Sequence, residues 1–238
     1  MKSFDEKPLN PAEEARTNMS FWLPVLWQIK MRVPQTIMVN TGGIDLTELL
    51  DGKIPQGFND FKQRMEMAIN QIGTPCFIRT GMLSDKHSWK DTCYLTKVED
   101  IGSHIAQLVE SSCIANIAGL PFDYSFWAVR KLIPTKPVFF DFADMPITKE
   151  RRIFIKDGEV VCNHPYWPKD AFTQSVSDKQ MAELEDLTEE DKKELTAMAK
   201  YVAKYFTDYW SVDFLQDVEG KWWLTDMAIG ERSYHYAH

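Results

Sequence analysis

The sequence predicts an α+β fold, and three observations carry that expectation. Segments of period-two alternation occur as adjacent hairpin partners, the plainest being RRIFIKDGEVVCN around Asp157-Gly158. Between them lie segments with apolar residues at helical spacing, such as Phe58, Phe61, Met65, Ala68, Ile69 and Ile72. Hairpins and helices interleave without the strand–helix–strand regularity of a parallel sheet.

Taken in order, residues 1–18 read as a loose lead-in, and FWLPVLWQIKMRVPQTIMVNT as a short helix broken near Pro24 followed by a strand at about 34–40. The amphipathic helix from Phe58 comes next, then the strand PCFIRTG (75–81), a polar loop MLSDKHSWKD and a second strand TCYLTKV. DIGSHIAQLVESSCIANIAG has an acid where a helix cap belongs and a glycine where the helix should stop. SFWAVRKLI is a strand closed by the loop PTKP. Asp157-Gly158 supplies the positive φ angles of a two-residue hairpin turn. Residues 178–194 carry eight acids against three lysines and read as a solvated loop and helix start. Thr188 and Asp191 form a capping-box pattern, after which Leu195, Met198, Ala199, Val202, Phe206 and Tyr209 share a helical face. A last hairpin runs through WSVDFLQ and KWWLTDM.

The chain has 238 residues, 44% of them apolar, which suffices for one large domain or two small lobes with real cores. Its eight tryptophans suggest close packing. A net charge of -8 and a pI near 5.2 argue against nucleic acid or an anionic membrane as partner. Cys76, Cys93, Cys113 and Cys162 have neither CxxC nor Cys/His metal spacing, and read as reduced, mostly buried thiols in a cytoplasm. The polar N-terminus is neither signal nor transit peptide, and FWLPVLW is far shorter than the roughly 20 residues of a membrane span.

The hairpins sort the charges. If the last one turns symmetrically about Val218-Glu219, Asp213 faces Leu224 and Asp226 faces Ser211. The two acids are then same-face diagonal neighbours about 7–8 Å apart, with Phe214 and Trp223 paired on the other face. Such carboxylates suit Mg²⁺; the other reading is a pair of solvated acids on an exposed face, and a bulge would shift the register and spoil the metal geometry. In the earlier hairpin Lys156 opposes Glu159, which offers it an ion pair. Arg152 sits deeper, opposite Asn163 with no acid across that ladder, so its planar fork is open to a phosphate or to a structural salt bridge. The loop after Gly81 carries Lys86, His87 and Lys90 and could cover a triphosphate, although it is no P-loop. His87, His104, His164, His235 and His238 are scattered, and His104 reads as packing or surface. No GxSxG or HExxH pattern occurs, and no cysteine has catalytic context.

In their order and spacing these features resemble the ATP-grasp superfamily over about residues 33–235. They are most similar to its small, often phage-encoded clade marked by arginine and lysine positions. More distantly they resemble the eukaryotic cell-division-cycle chaperone that assembles a translation initiation factor. The resemblance makes FIRTG…KHSWKD the first nucleotide strand and phosphate loop, with Arg79 the basic strand residue and Lys90, beside Lys86, the loop cation. WAVRKLI resembles the strand between lobes, where adenine pairs with main chain around Lys131, Leu132 and Ile133, with Arg130 beside them as a further nucleotide-binding residue. ERRIFIKDGEVV resembles an E-x-R-x-F-V pattern containing Glu150 and Arg152. VDFLQDVEGKWWLTDMAIGERS is similar to the closing hairpin, placing Asp213 and Asp226 on the metal. The family's further asparagine is here Ala228, which leaves Glu231 or water to complete the metal shell.

What the resemblance implies is an ATP-grasp fold of two α+β lobes with ATP between them. Residues 1–74 would form an N-terminal pre-grasp or substrate region, 75–127 the first lobe and 128–238 the second, with the metal site. The implied activity is ATP- and Mg²⁺-dependent joining of a carboxylate to an amine through an acyl phosphate, with proteins and peptides among the candidate substrates. Arg79, Lys90 and Arg152 would be its catalytic cations. An ATP-binding assembly protein without ligase turnover is the alternative.

Overall fold

The computed structural model describes residues 11–117, 119 and 123–235. The chain divides into two compact units. One comprises residues 1–20 and 35–132, the other 21–34 and 133–238, so the chain passes from one to the other after Ser20, Pro34 and Leu132.

In the first unit, helix α1 (Pro11–Thr17) stands where a loose lead-in was expected; the rest of that lead-in, residues 1–10, lies outside the described residues. Strands β1 (Thr36–Asn40), β2 (Cys76–Thr80), β3 (Tyr94–Leu95) and β4 (Phe126–Lys131) form an antiparallel sheet in the order β1-β4-β2-β3. Helices α3 (Phe58–Ile72) and α4 (Ile101–Ile117) cover one face of it. The stripe Phe58, Phe61, Met65, Ala68 and Ile69 packs with Ile105, Leu108, Ile78, Trp127 and Val129, as its helical spacing predicts. Only Tyr94–Leu95 of the expected second strand is paired. The residues before it turn back instead, because the Thr92 hydroxyl donates to the carbonyls of Asp85 and Ser88. His104, buried, donates from Nδ1 to the Thr92 carbonyl at 2.8 Å, a packing role.

Helix α2 (Met19–Gln28) has Met19 and Ser20 in the first unit and the rest in the second, running through Pro24 unbroken. Pro24 is exposed on the outer side, while Trp22, Leu23 and Leu26 are fully buried on the inner. Burial of that face outweighs the one backbone bond that proline removes.

In the second unit, β7 (Glu150–Lys156), β8 (Glu159–Pro165), β9 (Tyr209–Gln216) and β10 (Trp222–Ile229) form an antiparallel sheet in the order β10-β9-β7-β8. β5 (Phe139–Asp141) and β6 (Met145–Ile147) make a separate two-stranded ribbon. Asp157 and Gly158 have φ of 49° and 88°, the turn the sequence predicts, and Lys156 faces Glu159. Helix α5 (Asp178–Glu185) precedes α6 (Glu189–Ala203), and each begins with a capping box. α6 packs on the sheet through Leu195, Ala199 and Val202. It ends before Phe206, and Tyr209 already belongs to β9, so the expected apolar face is shorter than its periodicity suggested. Asp191 is no solvated acid. It is buried and accepts from Trp222 Nε1 at 2.8 Å and Gln216 Nε2 at 2.7 Å as well as capping α6.

Trp22, Trp127, Trp210 and Trp222 are wholly buried, and no helix among the described residues is long and apolar enough to cross a membrane. All four cysteines are free thiols. Burial pushes Cys76 up to about 11 and Cys93 up to about 12; burial, then Asp45 and Glu110, raise Cys113 too, but Cys113 and Cys162 are only half-buried. Because the thiolate is the reactive form, iodoacetamide at neutral pH, with a chelator present, is expected to label Cys113 and Cys162 and spare Cys76 and Cys93 until denaturation. Peptide mass mapping checks this; early labelling of Cys93 would overturn it.

Candidate functional site

Both four-stranded sheets have an apolar face, and each carries cations on the other. In the first unit Arg79 pairs with Ala128 and Arg130 with Phe77, so the two arginines are diagonal neighbours on the face away from α3 and α4. Each is 4% exposed. Arg79 Nε donates to the Thr80 carbonyl at 3.0 Å, and Arg130 Nε to the Thr36 hydroxyl at 3.2 Å. The loop beyond Gly81 is pinned rather than slack. Thr80 Oγ1 accepts from the amides of Met82 and Leu83, Asp85 accepts from Ser111, and Trp89 stacks on Tyr94 at 5.1 Å. Gly81 is required here for close approach, since a Cβ would lie 2.2 Å from Asn18 Oδ1. Lys86 is half-buried on this loop and Lys90 exposed. β4 ends at Lys131, whose amide donates to the Gln35 carbonyl at 2.8 Å; Leu132 and Ile133 follow, half-buried.

The second sheet holds the acids. Its closing hairpin does not turn symmetrically at Val218-Glu219. Asp217 organises a longer turn, its Oδ1 accepting from the amides of Glu219 and Lys221 and its Oδ2 from Trp223 Nε1 at 2.7 Å. Burial opposes its ionisation, but those donors outweigh it and hold its pKa below the ordinary value. Trp222 therefore pairs with Gln216 and Leu224 with Phe214, instead of Trp223 with Phe214. Continued unbroken, that register would set Asp226 opposite Val212, on the apolar face. A bulge at Thr225 absorbs one residue and places Asp226 directly opposite Asp213. The acids are thus nearer than the diagonal spacing expected, with Cβ atoms about 4.5–5.5 Å apart.

Arg152 is the third member. A second bulge, between Phe154 and Ile155, sets it opposite His164 rather than Asn163, and on its other side it faces Asp213. Nε and Nη2 donate to the two Asp213 oxygens at 2.8 and 2.9 Å, with the side chains 13% and 8% exposed. The acid partner that the hairpin ladder lacks comes from β9, some sixty residues on in the chain. Burial works against the Arg152 charge, but Asp213 outweighs it, with Tyr166 and Asp226 adding, so its pKa lies above the ordinary value. The guanidinium also lies over the Tyr166 ring at 4.6 Å. Glu150, buried, accepts from Trp167 Nε1. Glu231 is exposed in the 3-10 turn Gly230–Arg232, where its charge contributes to raising the Tyr209 phenol after burial and Cys162. Ala228 pairs with Ser211.

Sequence reasoning missed Tyr166, His164, Cys162 and His235 as neighbours of this face. Cys162 and His164 alternate onto the same side of β8, and Tyr166 follows just past its end, a signal present in the sequence. His235 arrives there only through the fold: its ring lies 4.4 Å from Phe154 and 5.3 Å from His164. Burial first, then Arg152, His235 and Arg151, hold His164 below its ordinary pKa against the Pro165 carbonyl. His238 lies outside the described residues.

No curated protein matches the chain in sequence. Among solved structures, C-terminally truncated Cdc123 from Schizosaccharomyces pombe is similar in fold, with TM-score 0.65, 14% identity, and 94% of this chain matched to 87% of that one. D-alanine–D-alanine ligase from Bacillus anthracis, complexed with ATP, has TM-score 0.50 and 12% identity over 89% of this chain. The match spans about half of that ligase, 54% of its length. At such identities the likeness is one of fold. The sequence model for the ATP-grasp domain, R2K clade family 3, matches residues 66–238. With its two α+β units and that match over most of its length, the chain belongs to the ATP-grasp domains of the R2K clade, family 3.

Proposed function

We propose that the chain is an ATP- and Mg²⁺-dependent ligase that joins a carboxylate to an amine. The observation that carries this reading is the direct pairing of Asp213 with Asp226 beside the Arg152 fork. Two facing carboxylates are a hard-oxygen donor set that fits Mg²⁺, with phosphate oxygens and water filling the remaining positions. A carboxylate has about four lone-pair sites, so Asp213 can hold Arg152 and still offer an oxygen to the metal. Asp213 and Asp226 would hold the ion, with Glu231 as the further acid. When bound, the ion supplies charge neutralisation at the phosphate oxygens.

The chain's own residues do the rest. Arg79, Lys86, Lys90, Arg130 and Arg152 offset charge on the triphosphate, and Arg79, Lys90 and Arg152 offset what develops as the terminal phosphoryl moves. Adenine is read by main chain at Lys131, Leu132 and Ile133; the Lys131 amide already donates to Gln35, which leaves the next two residues to make the amide contacts. A carboxylate oxygen attacks the γ-phosphorus, ADP departs, and an amine then displaces phosphate from the acyl phosphate, losing a proton. No side-chain nucleophile is needed. The expected products are ADP and phosphate, resolved by chromatography after incubating Mg-ATP with pooled amino acids, peptides and small carboxylates. AMP as the main product would overturn the acyl-phosphate route.

A second reading, an ATP-binding assembly protein without ligase turnover, is favoured by Ala228 in the asparagine position and by the closer fold likeness to Cdc123 than to the ligase. ATP binding with no turnover against any pool would select it.

A further inference from the structure

On the same sheet face as the acids, Cys162, His164 and His235 come together so that one ligand atom from each lies within 4.8 Å of the others. We propose that these three side chains form a transition-metal site, with Zn²⁺ the ion its chemistry fits best. The site stands apart from the Mg²⁺ reading and does not depend on it. A thiolate and two imidazoles are soft and borderline donors, which select Zn²⁺ over Mg²⁺. The carboxylate pair has the opposite preference.

Three local features suit the role. Cys162 and His164 are two apart on β8 and therefore project to one side. His164 Nδ1 lies 2.7 Å from the Pro165 carbonyl oxygen, which can only accept, so Nδ1 carries the proton and Nε2 presents its lone pair. Such a backbone-carbonyl acceptor behind the ring is how metal-binding histidines are oriented. His235 is brought in by the return of the chain after β10. Ser233 holds that return by bonding the Ile229 carbonyl at 2.9 Å and the Ser211 hydroxyl at 2.6 Å. Zn–S and Zn–N lengths of about 2.3 and 2.0 Å set tetrahedral ligand atoms roughly 3.5 Å apart, so closing the cluster by about 1 Å completes three sides of a tetrahedron. The fourth position is left for water. Binding converts the Cys162 thiol to thiolate with release of its proton. The ion would clasp the segment 233–235 onto the sheet, beside Arg152, whose Nη1 donates to the Tyr234 carbonyl.

The test is a cobalt(II) titration of the full chain after chelator treatment. One equivalent is expected to give tetrahedral d–d bands and a thiolate-to-cobalt charge-transfer band, both erased by Zn²⁺ and unaffected by excess Mg²⁺. Cys162→Ser is expected to remove the charge-transfer band. His235→Ala removes a direct ligand and is expected to lower cobalt affinity by at least the roughly tenfold that losing an outer-shell partner costs, and Asp226→Asn to leave both unchanged. Circular dichroism of the two cluster variants controls for folding, and His235→Ala stands as the independent variant should Cys162→Ser unfold. A weak octahedral spectrum without the thiolate band would overturn the proposal, as would a band that survives Cys162→Ser.

Discussion

Asp213→Asn is expected to destabilise the protein by about 3 kcal/mol, the low end of the range for breaking a buried ion pair. The substitution keeps the side chain's shape and removes only its charge. It leaves the Arg152 guanidinium buried, with an amide donor turned toward one of its own donors where two carboxylate acceptors stood. The cost is that of an uncompensated charge rather than the net worth of the pair. For a chain of this size it corresponds to a melting temperature lower by about 6–12 °C. Chemical denaturation measures it, and a loss below about 1 kcal/mol would show the pair to be screened like a surface one. Pairing Asp213→Asn with Arg152→Met in the same chain is expected to recover most of the loss, since no buried charge is then left unpaired.

Asp226→Asn separates metal binding from stability. It relieves a carboxylate set directly across from Asp213 but gives up part of the charge that supports Arg152, so the melting temperature without ligand is expected to change little. With Mg-ATP the outcome is the reverse. At a ligand concentration a hundredfold above Kd the unaltered chain is expected to gain about 2.7 kcal/mol, or about 5–10 °C. Asp226→Asn should lose most of the Mg²⁺-dependent part of that gain. Thermal shifts with ATP alone, Mg²⁺ alone and both together read the difference. A full Mg²⁺-dependent shift in both Asp213→Asn and Asp226→Asn would place the metal elsewhere and remove the main support for the ligase reading.

The elements were legible because the forces that make them are short-ranged. The apolar stripe of α3, the capping box at Thr188 and the positive-φ turn at Asp157-Gly158 each depend on residues a few positions apart. The resemblance added order, locating Arg79, Arg152, Asp213 and Asp226 within a family pattern that the match over residues 66–238 bears out as a family. Errors came where a local rule met a tertiary force. Pro24 stays within its helix because Trp22, Leu23 and Leu26 are buried along it. The expected stripe ran on to Tyr209, but strand pairing with β7 takes that residue from the helix.

By itself, then, the sequence marked most of the helix and strand segments and put two acids on the closing hairpin. Which atoms meet was decided by tertiary structure. A strand's side chains alternate with a period of two, so one residue of slip exchanges its faces. The Asp217 turn and the Thr225 bulge each shift the register by one, and only both together set Asp226 against Asp213. Arg152 finds Asp213, and His164 finds His235, because β9 and the chain after β10 are brought beside the first hairpin by burial of the sheet's other face against α6. Those pairings span some sixty to seventy residues, and no periodicity within a single segment encodes them.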